Sequence, residues 1–439
     1  MTAPAPRHDH IIRITGGAQL AGDICVGGSK NAALPEMAAA LLTTEPVRLN
    51  NVPRVTDTAL MGEIIAGLGG RVEGEGSLII NTGQAQDSHV PDDLGRRMRA
   101  TIVLLGALLA RFGKARVPRP GGDDIGARRF EQHLRGLRQM GARIEETQTE
   151  IVAEVDRLRG KRIVFDLPTV TGTENILLAA VLAEGRTEIF NAAREPHVQD
   201  LCLLLGKMGA RIEGIGTERL VVDGVKDLGG AEHTVIPDYL EAGTYAIAVA
   251  AAGGELRLEC SRPEDLNVVL LKLELAGAHV EVGDGWFRVG RNPKTRLKPV
   301  DMSTWTYPGF PTDLQAQYMA MMTQADGETV ISEYVHENRF QHVNQLAKMG
   351  AGINVEGRLH AIVHGPARLR GTEVSIPDIR SGAALVIAAL CAEGESVLHN
   401  AWHVDRGYEN MPGKLASVGA KITSEKVESD SAGPGRTYE

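Results

Sequence analysis

Two kinds of apolar pattern alternate along the chain. RATIVLLGALLARFG (residues 99–113) and TENILLAAVLAEG (173–185) are apolar on almost every face, so each predicts a helix buried on all sides. After the second comes a short strand, TEIF (187–190), and then VQDLCLLLGKMGA (198–210), apolar at 3.6 spacing and stopped by glycine. That predicts an amphipathic helix with a glycine C-terminus. ARIEGIGTERLVV (210–222) alternates and turns at Gly214 to Gly216, which predicts a hairpin.

This order recurs. The phrase that ends the amphipathic helix appears as LGGRV, MGARI, MGARI, AGAHV, MGAGI and VGAKI, with first glycines Gly69, Gly141, Gly209, Gly277, Gly350 and Gly419. The steps are 72, 68, 68, 73 and 69 residues. A period this constant predicts six copies of one supersecondary unit, divided three and three between two domains. From the stop of each buried helix (Pro46, Gly185, Gly254, Gly327, Gly394) to the next repeated glycine is 23 to 25 residues; in the second copy, Gly113 to Gly141, it is 28. The excess falls at RPGGDDIGARR, residues 119–129. An insertion into one copy of a regular array predicts a functional loop.

The bulk properties narrow the picture. A chain of 439 residues with net charge -9 is not built as a general nucleic-acid binder, although a local basic cleft remains open. No segment has the length or apolarity of a membrane span, and MTAPAPRHDHIIR lacks the apolar stretch of a signal peptide. A cytoplasmic protein without membrane insertion is expected. Cys25, Cys202, Cys260 and Cys391 form no metal-binding spacing and are expected as buried free thiols. The first eight residues and the tail 424–439 are expected to be disordered.

Candidate chemistry gathers at helix starts. Ser29, Lys30 and Asn31 open the first buried helix, where free N–H groups beside a lysine suit an anion. Arg96, Arg97 and Arg99 precede the second, and Thr169, Thr171, Thr173 and Glu174 open the third. Asp313 opens the fifth, and Asp378 and Arg380 the sixth. Stacked units bring equivalent ends together, so these groups are expected to converge. Loops add Arg194 and Glu195, Glu337 to Arg339, and His403, Asp405 and Arg406. Arginines from both halves suit a grip on phosphate or carboxylate. Asp123 and Asp124, near Arg128 in the surplus loop, suit an acid or base beside an anion clamp.

The phrases GSKNAALP, RATIVLLGALLARFG, PGGDDIGAR, TGTENI, NAAREP, FPTDLQAQ, ENRF and HVDRGYE, in that order from Ile12 to Ile422, resemble the UDP-N-acetylglucosamine enolpyruvyl transferase family. The resemblance implies an α/β fold, a two-domain inside-out barrel with three units per domain. Residues 30–236 would form one domain, carrying the loop 119–129, and residues 1–29 with 237–423 the other. It implies transfer of the enolpyruvyl group of phosphoenolpyruvate to the 3'-hydroxyl of UDP-N-acetylglucosamine, opening peptidoglycan precursor synthesis. Addition and elimination through a tetrahedral intermediate would need no metal or organic cofactor. The partners would be the two substrates, with no nucleic acid, in a monomer or weak homo-oligomer.

By the same resemblance, Lys30, Arg128 and Arg406 surround phosphoenolpyruvate, with Arg99 nearby and Arg339 and Arg380 completing the basic cleft. Asn31 touches the intermediate, and Asp313 binds the reacting hydroxyl and is the favoured base. His133, Thr169, Val170 and Val335 hold the nucleotide sugar. Asp57, Glu195, Asp238, Glu241 and Asp378 are ion-pairing supports, with Asp405 a further one. Asp123 stands where most members carry a cysteine that acts as general acid and is alkylated by fosfomycin, so proton donation without that alkylation is expected. Arg129 replaces a common proline and His336 a common aromatic residue; both bear on loop closure and nucleotide affinity. The alternatives are a paralogue acting on a different acceptor, the enzyme acting on shikimate 3-phosphate, and a non-catalytic binding protein.

Overall fold

The computed structural model describes residues 9–122, 125–126 and 130–427. The six all-round apolar segments become inner helices: α1 (Lys30–Ala39), α2 (Leu104–Phe112), α3 (Val170–Ala180), α4 (Tyr239–Ala252), α5 (Gln315–Met322) and α6 (Ile379–Cys391). Burial follows pattern: every residue of α4 from Tyr239 to Ala251 is buried. Among the described residues six sheets lie around these helices, five of four strands and one of three. Helices inside and sheets outside make a two-domain inside-out α/β fold.

The repeat explains the sheets. In the third unit, Arg186–Phe190 pairs parallel with Arg162–Val164 and antiparallel with Arg219–Asp223, which completes a hairpin with Arg211–Glu213. The first unit repeats this order, but its parallel strand is Ala231–Thr234, from the far end of the third unit. The second half closes the same way. Lys421–Val427 finds its hairpin partner in Asp9–Thr15, at the other end of the chain. Pairing reaches Asp9↔Val427, so the last strand runs into the segment expected as tail; strand Asp9–Thr15 supplies partners that the local sequence does not advertise. The remaining tail and the first eight residues lie outside the described ones.

Two apolar cores result. One gathers residues from Ala32 to Ile236, the other Ile12 to Val26 with Tyr239 to Ile422. The six repeated glycines all have φ between 90° and 108°. Each helix closes with a pair of bonds such as Gly209 N–H to the carbonyl of Gly206 and Ala210 N–H to that of Leu205, the left-handed C-terminal motif. Beside Gly209 and Gly277 a Cβ would meet nothing within 4 Å, so the conformation demands glycine there, and crowding does not.

The cysteine expectation is corrected. Cys25 and Cys260 form a disulfide with Cα atoms 5.5 Å apart, and both are exposed. Cys25 ends Leu20–Cys25, which runs parallel to Gly254–Glu259, and Cys260 follows that strand directly. Cys202 and Cys391 are free. Cys260 is left-handed, as are Asn51, Asn191 and Asn400 at the matching step of three other units.

Candidate active site

All six inner helices begin at one cleft. A cavity of 530 Å³ is lined by Lys30 and Asn31 at the start of α1, Arg99 before α2, Thr169 to Thr171 at α3, Tyr239 and Leu240 at α4, Asp313 before α5, and Ile379 and Arg380 at α6. The convergence expected of equivalent helix ends is therefore present. A larger cavity, 710 Å³, lies at the opposite ends of α1, α2 and α3. There the Arg111 guanidinium is spent on the carbonyls of Leu41, Thr43 and Thr82, and none of the helix starts reaches it.

Two clusters of charge dominate the cleft. In the first, Asp57 lies between two cations: Lys30 Nζ is 3.2 Å from its Oδ2 and Arg406 Nε 3.0 Å from its Oδ1. Burial alone would raise the Asp57 carboxyl, but Lys30 and Arg406 hold it below its ordinary value. Ser29 caps α1 by accepting from Ala32 N–H, which fixes Lys30 at the first turn. Pro35 removes the N–H that would bond the Asn31 carbonyl. In the second cluster, Asp313 receives Arg339 at 2.7 Å and Arg380 at 3.1 Å, one on each oxygen. Burial is again opposed, here by Arg380 and Arg339 with His336 adding to them, and Asp313 sits far below the usual carboxylate range.

The remaining candidates divide. His133 is buried, 3.3 Å from both the Thr171 hydroxyl and the Asn175 amide; burial and then Arg99 push it down to about 3, so it is neutral. Thr169 caps α3 through Gly172 N–H, with Val170 next to it at the rim, and Val335 lines the cavity from the other domain. Arg99 stacks over the Phe130 ring at 3.7 Å. Asp378 caps α6, accepting from the N–H of Arg380 and Ser381 and from the Ser381 hydroxyl, and is not among the residues that line the cavity. Asp238 likewise caps α4, and Asp405 pairs with His10 at 2.7 Å. Glu241 does pair, with Lys414 at 2.7 Å. Glu195 meets the N–H of Tyr307 at 3.5 Å and makes no ion pair among the described residues.

Asp123, Asp124, Arg128 and Arg129 lie outside the described residues. The described parts of their loop touch the second domain: Asn338 N–H donates to the Ile125 carbonyl at 3.3 Å, and Gly126 packs against the Glu337 carboxylate.

Sequence reasoning passed over His197, Tyr239, Trp305 and Tyr307, which all line the cavity. His197 had one available signal, its place two residues after Glu195 at the start of the helix Pro196–Lys207. Among the described residues one group has the spacing of metal ligands: Glu36, Asp200 and His233. It lies outside the cleft, with His233 Nε2 on Asp200 at 3.0 Å and Lys207 Nζ on His233 Nδ1 at 3.0 Å. A lysine donating to Nδ1 leaves the proton on Nε2, so this histidine offers no lone pair to an ion.

A two-domain fold with cationic helix starts facing one cleft defines a transferase that handles anionic substrates. The chain belongs to the EPSP synthase (3-phosphoshikimate 1-carboxyvinyltransferase) family, whose model matches residues 14–415, and it is an enolpyruvyl transferase. It is similar to the enolpyruvyl transferase NikO from Streptomyces tendae, at 26% identity over 95% of this chain and 99% of that one, with TM-score 0.85. It shares its fold with EPSP synthase from Acinetobacter baumannii, at 18% identity over 95% of this chain and 100% of that one, with TM-score 0.71. The family uses phosphoenolpyruvate and an acceptor of nucleotide-sugar or shikimate type. No helix among the described residues is long and apolar enough to cross a membrane.

Proposed function

We propose that this enzyme transfers the enolpyruvyl group of phosphoenolpyruvate to the 3'-hydroxyl of UDP-N-acetylglucosamine, releasing phosphate. The observation that carries the reading is the pairing of two cation clusters with one reactive carboxylate: Lys30 and Arg406 on Asp57, and Arg339 and Arg380 on Asp313, in a single cleft. Phosphoenolpyruvate brings a phosphate and a carboxylate, which suit these cations. Its methylene accepts a proton, the acceptor oxygen attacks the adjacent carbon, and Asp313 takes the hydroxyl proton. Loss of phosphate and of a methyl proton regenerates the vinyl group. Asp123 is the proposed acid, with Arg128 on the phosphate. Asn31, Arg99, His133, Thr169, Val170 and Val335 are proposed substrate contacts. Domain limits at 29/30 and 236/237 are part of the proposal, supported by two apolar cores, one from Ala32 to Ile236 and the other joining Ile12–Val26 with Tyr239–Ile422.

Asp313 is a weak base while both of its oxygens hold arginines. Arriving substrate anions compete for Arg339 and Arg380, and that exchange raises Asp313 toward the basicity its role needs. Binding the donor thus arms the base.

A second reading is favoured by the likeness to NikO: a paralogue with another acceptor. Phosphate release decides between them, measured with phosphoenolpyruvate and UDP-N-acetylglucosamine, a uridine nucleotide lacking the sugar, or shikimate 3-phosphate. Release dependent on UDP-N-acetylglucosamine is expected. Release only with another acceptor overturns the first reading.

A further inference from the structure

The cleft is not uniformly cationic. On the side built by α3 and the helix Pro196–Lys207, three buried polar atoms have no partner among the described residues: Glu174 Oε1, Glu195 Oε2 and His197 Nδ1. Glu174 is 2% exposed and His197 4%. All three residues line the cavity. Glu174 sits in the first turns of α3, and Glu195 and His197 flank Pro196 at the start of their helix. Burying polar atoms without partners is costly, and a ligand that satisfies them would offset that cost.

The chemistry of that ligand follows from charge. Glu174, Glu195 and His197 supply no cation to grip a phosphate or carboxylate. A metal ion is not favoured either, because these three do not come within ligand spacing of one another. Arg99, His133, His197, Asp200 and Cys202 lie on the elements packed around α3, and Glu36 and Glu195 also interact electrostatically with Glu174. Burial first and then Glu195 push Glu174 up to about 8. Burial pushes His197 down to about 4 against the pull of Asp313 and Asp200. Near pH 7 both are uncharged, one a carboxylic acid and one an imidazole, each able to donate and accept. That combination suits hydroxyl or amide groups of a neutral polyol.

We propose that Glu174, with His197 beside it, is a specificity-determining subsite that hydrogen-bonds the hydroxyl-bearing part of the acceptor. This rests on the enolpyruvyl-transfer reading above and divides the cleft: cations for the donor and its phosphate, uncharged acid and imidazole for the acceptor sugar.

The test is steady-state kinetics on the full chain, with UDP-N-acetylglucosamine or whichever acceptor supports phosphate release. Glu174→Ala should raise the acceptor KM at least about 10-fold and leave the phosphoenolpyruvate KM within about 3-fold, which also shows that the variant folds. Glu174→Gln, still an uncharged hydrogen-bonding group, should stay near wild type at pH 7. It should also lose the fall in acceptor kcat/KM expected of the wild type above about pH 8. An unchanged acceptor KM in Glu174→Ala, equal rises in both KM values, or an identical alkaline fall in Glu174→Gln overturns the subsite. If the wild type uses another acceptor, the UDP-N-acetylglucosamine reading falls while the KM split still tests the subsite. A wild type inactive with every hydroxyl acceptor overturns both.

Discussion

Asp313 and Glu174 face the same cleft from different domains and end in opposite charge states. Asp313 has 27% of its side chain exposed and an arginine on each oxygen. Glu174 is 2% exposed, and its first charged neighbour is another carboxyl, Glu195. Burial pushes both toward the neutral acid. At Asp313 the cations overrule it and at Glu174 nothing does, so one is held ionised and the other protonated to about pH 8. The two helix starts are copies of one unit, yet their charge states follow from the side chains that their own domain sets beside them. This lets one repeated fold carry both a base and an uncharged reader of the acceptor.

The largest effect should come from removing the ionised member. Asp313→Asn keeps the shape and removes the base. Turnover should fall roughly 100- to 10 000-fold, while calorimetry should still register acceptor binding. Turnover within a few-fold of wild type would mean that proton removal lies elsewhere and would break the contrast on its functional side.

Much of this contrast was out of reach of the sequence. The six-fold repeat was legible because glycines such as Gly141 and Gly350 meet a conformational demand that each unit poses afresh. Convergence of Lys30, Arg99, Thr169, Asp313 and Arg380 was legible for the same reason, since equivalent helix ends share one rim. The role of an aspartate at a helix start was not: Asp378 and Asp57 are both acids beside an inner or amphipathic helix, yet one caps backbone N–H groups and the other joins Lys30 to Arg406. The Cys25–Cys260 bond spans 235 residues, and no spacing rule reaches that far. Glu174 was visible as a polar residue in an apolar helix, but its charge state depends on burial and on Glu195, with no cation paired to it among the described residues, a property of the packed cleft.

The next effect is on stability. Arg380 is 5% exposed, and burial lowers its proton affinity less than Tyr408, Asp313 and Asp238 raise it. Arg380→Gln would leave Asp313 with Arg339 alone and strand part of a buried charge, at a cost of about 3–5 kcal/mol. Urea unfolding at pH 7 measures it. A loss under about 1 kcal/mol would show that solvent, and not Arg380, carries Asp313, and the two carboxyls would then differ less than their neighbours imply.

The last effect has the opposite sign and is read as a slope with pH. A carboxyl whose folded pKa is depressed, as at Asp313, contributes stability that is present above its unfolded value near 3.8 and disappears only in stronger acid. Glu174 is raised from 4.5 to about 8, so it favours the fold most below pH 4.5. Between pH 4.5 and 8 the folded state holds a proton that the unfolded state has released, and stability falls by up to about 1.4 kcal/mol per pH unit from this group. Glu36, Glu195, Asp238 and Glu241 are raised as well and slope the same way, so the wild-type curve alone does not isolate Glu174. The difference between wild type and Glu174→Gln does, because glutamine does not titrate. The variant should gain stability over wild type as pH rises from 5 to 8, and the gap should close below 4.5. Removing a partner of Asp313 weakens the fold, whereas removing the charge from Glu174 strengthens it. A gap that stays flat across that range would mean Glu174 ionises at an ordinary pH, and a cation would then have to be found beside it.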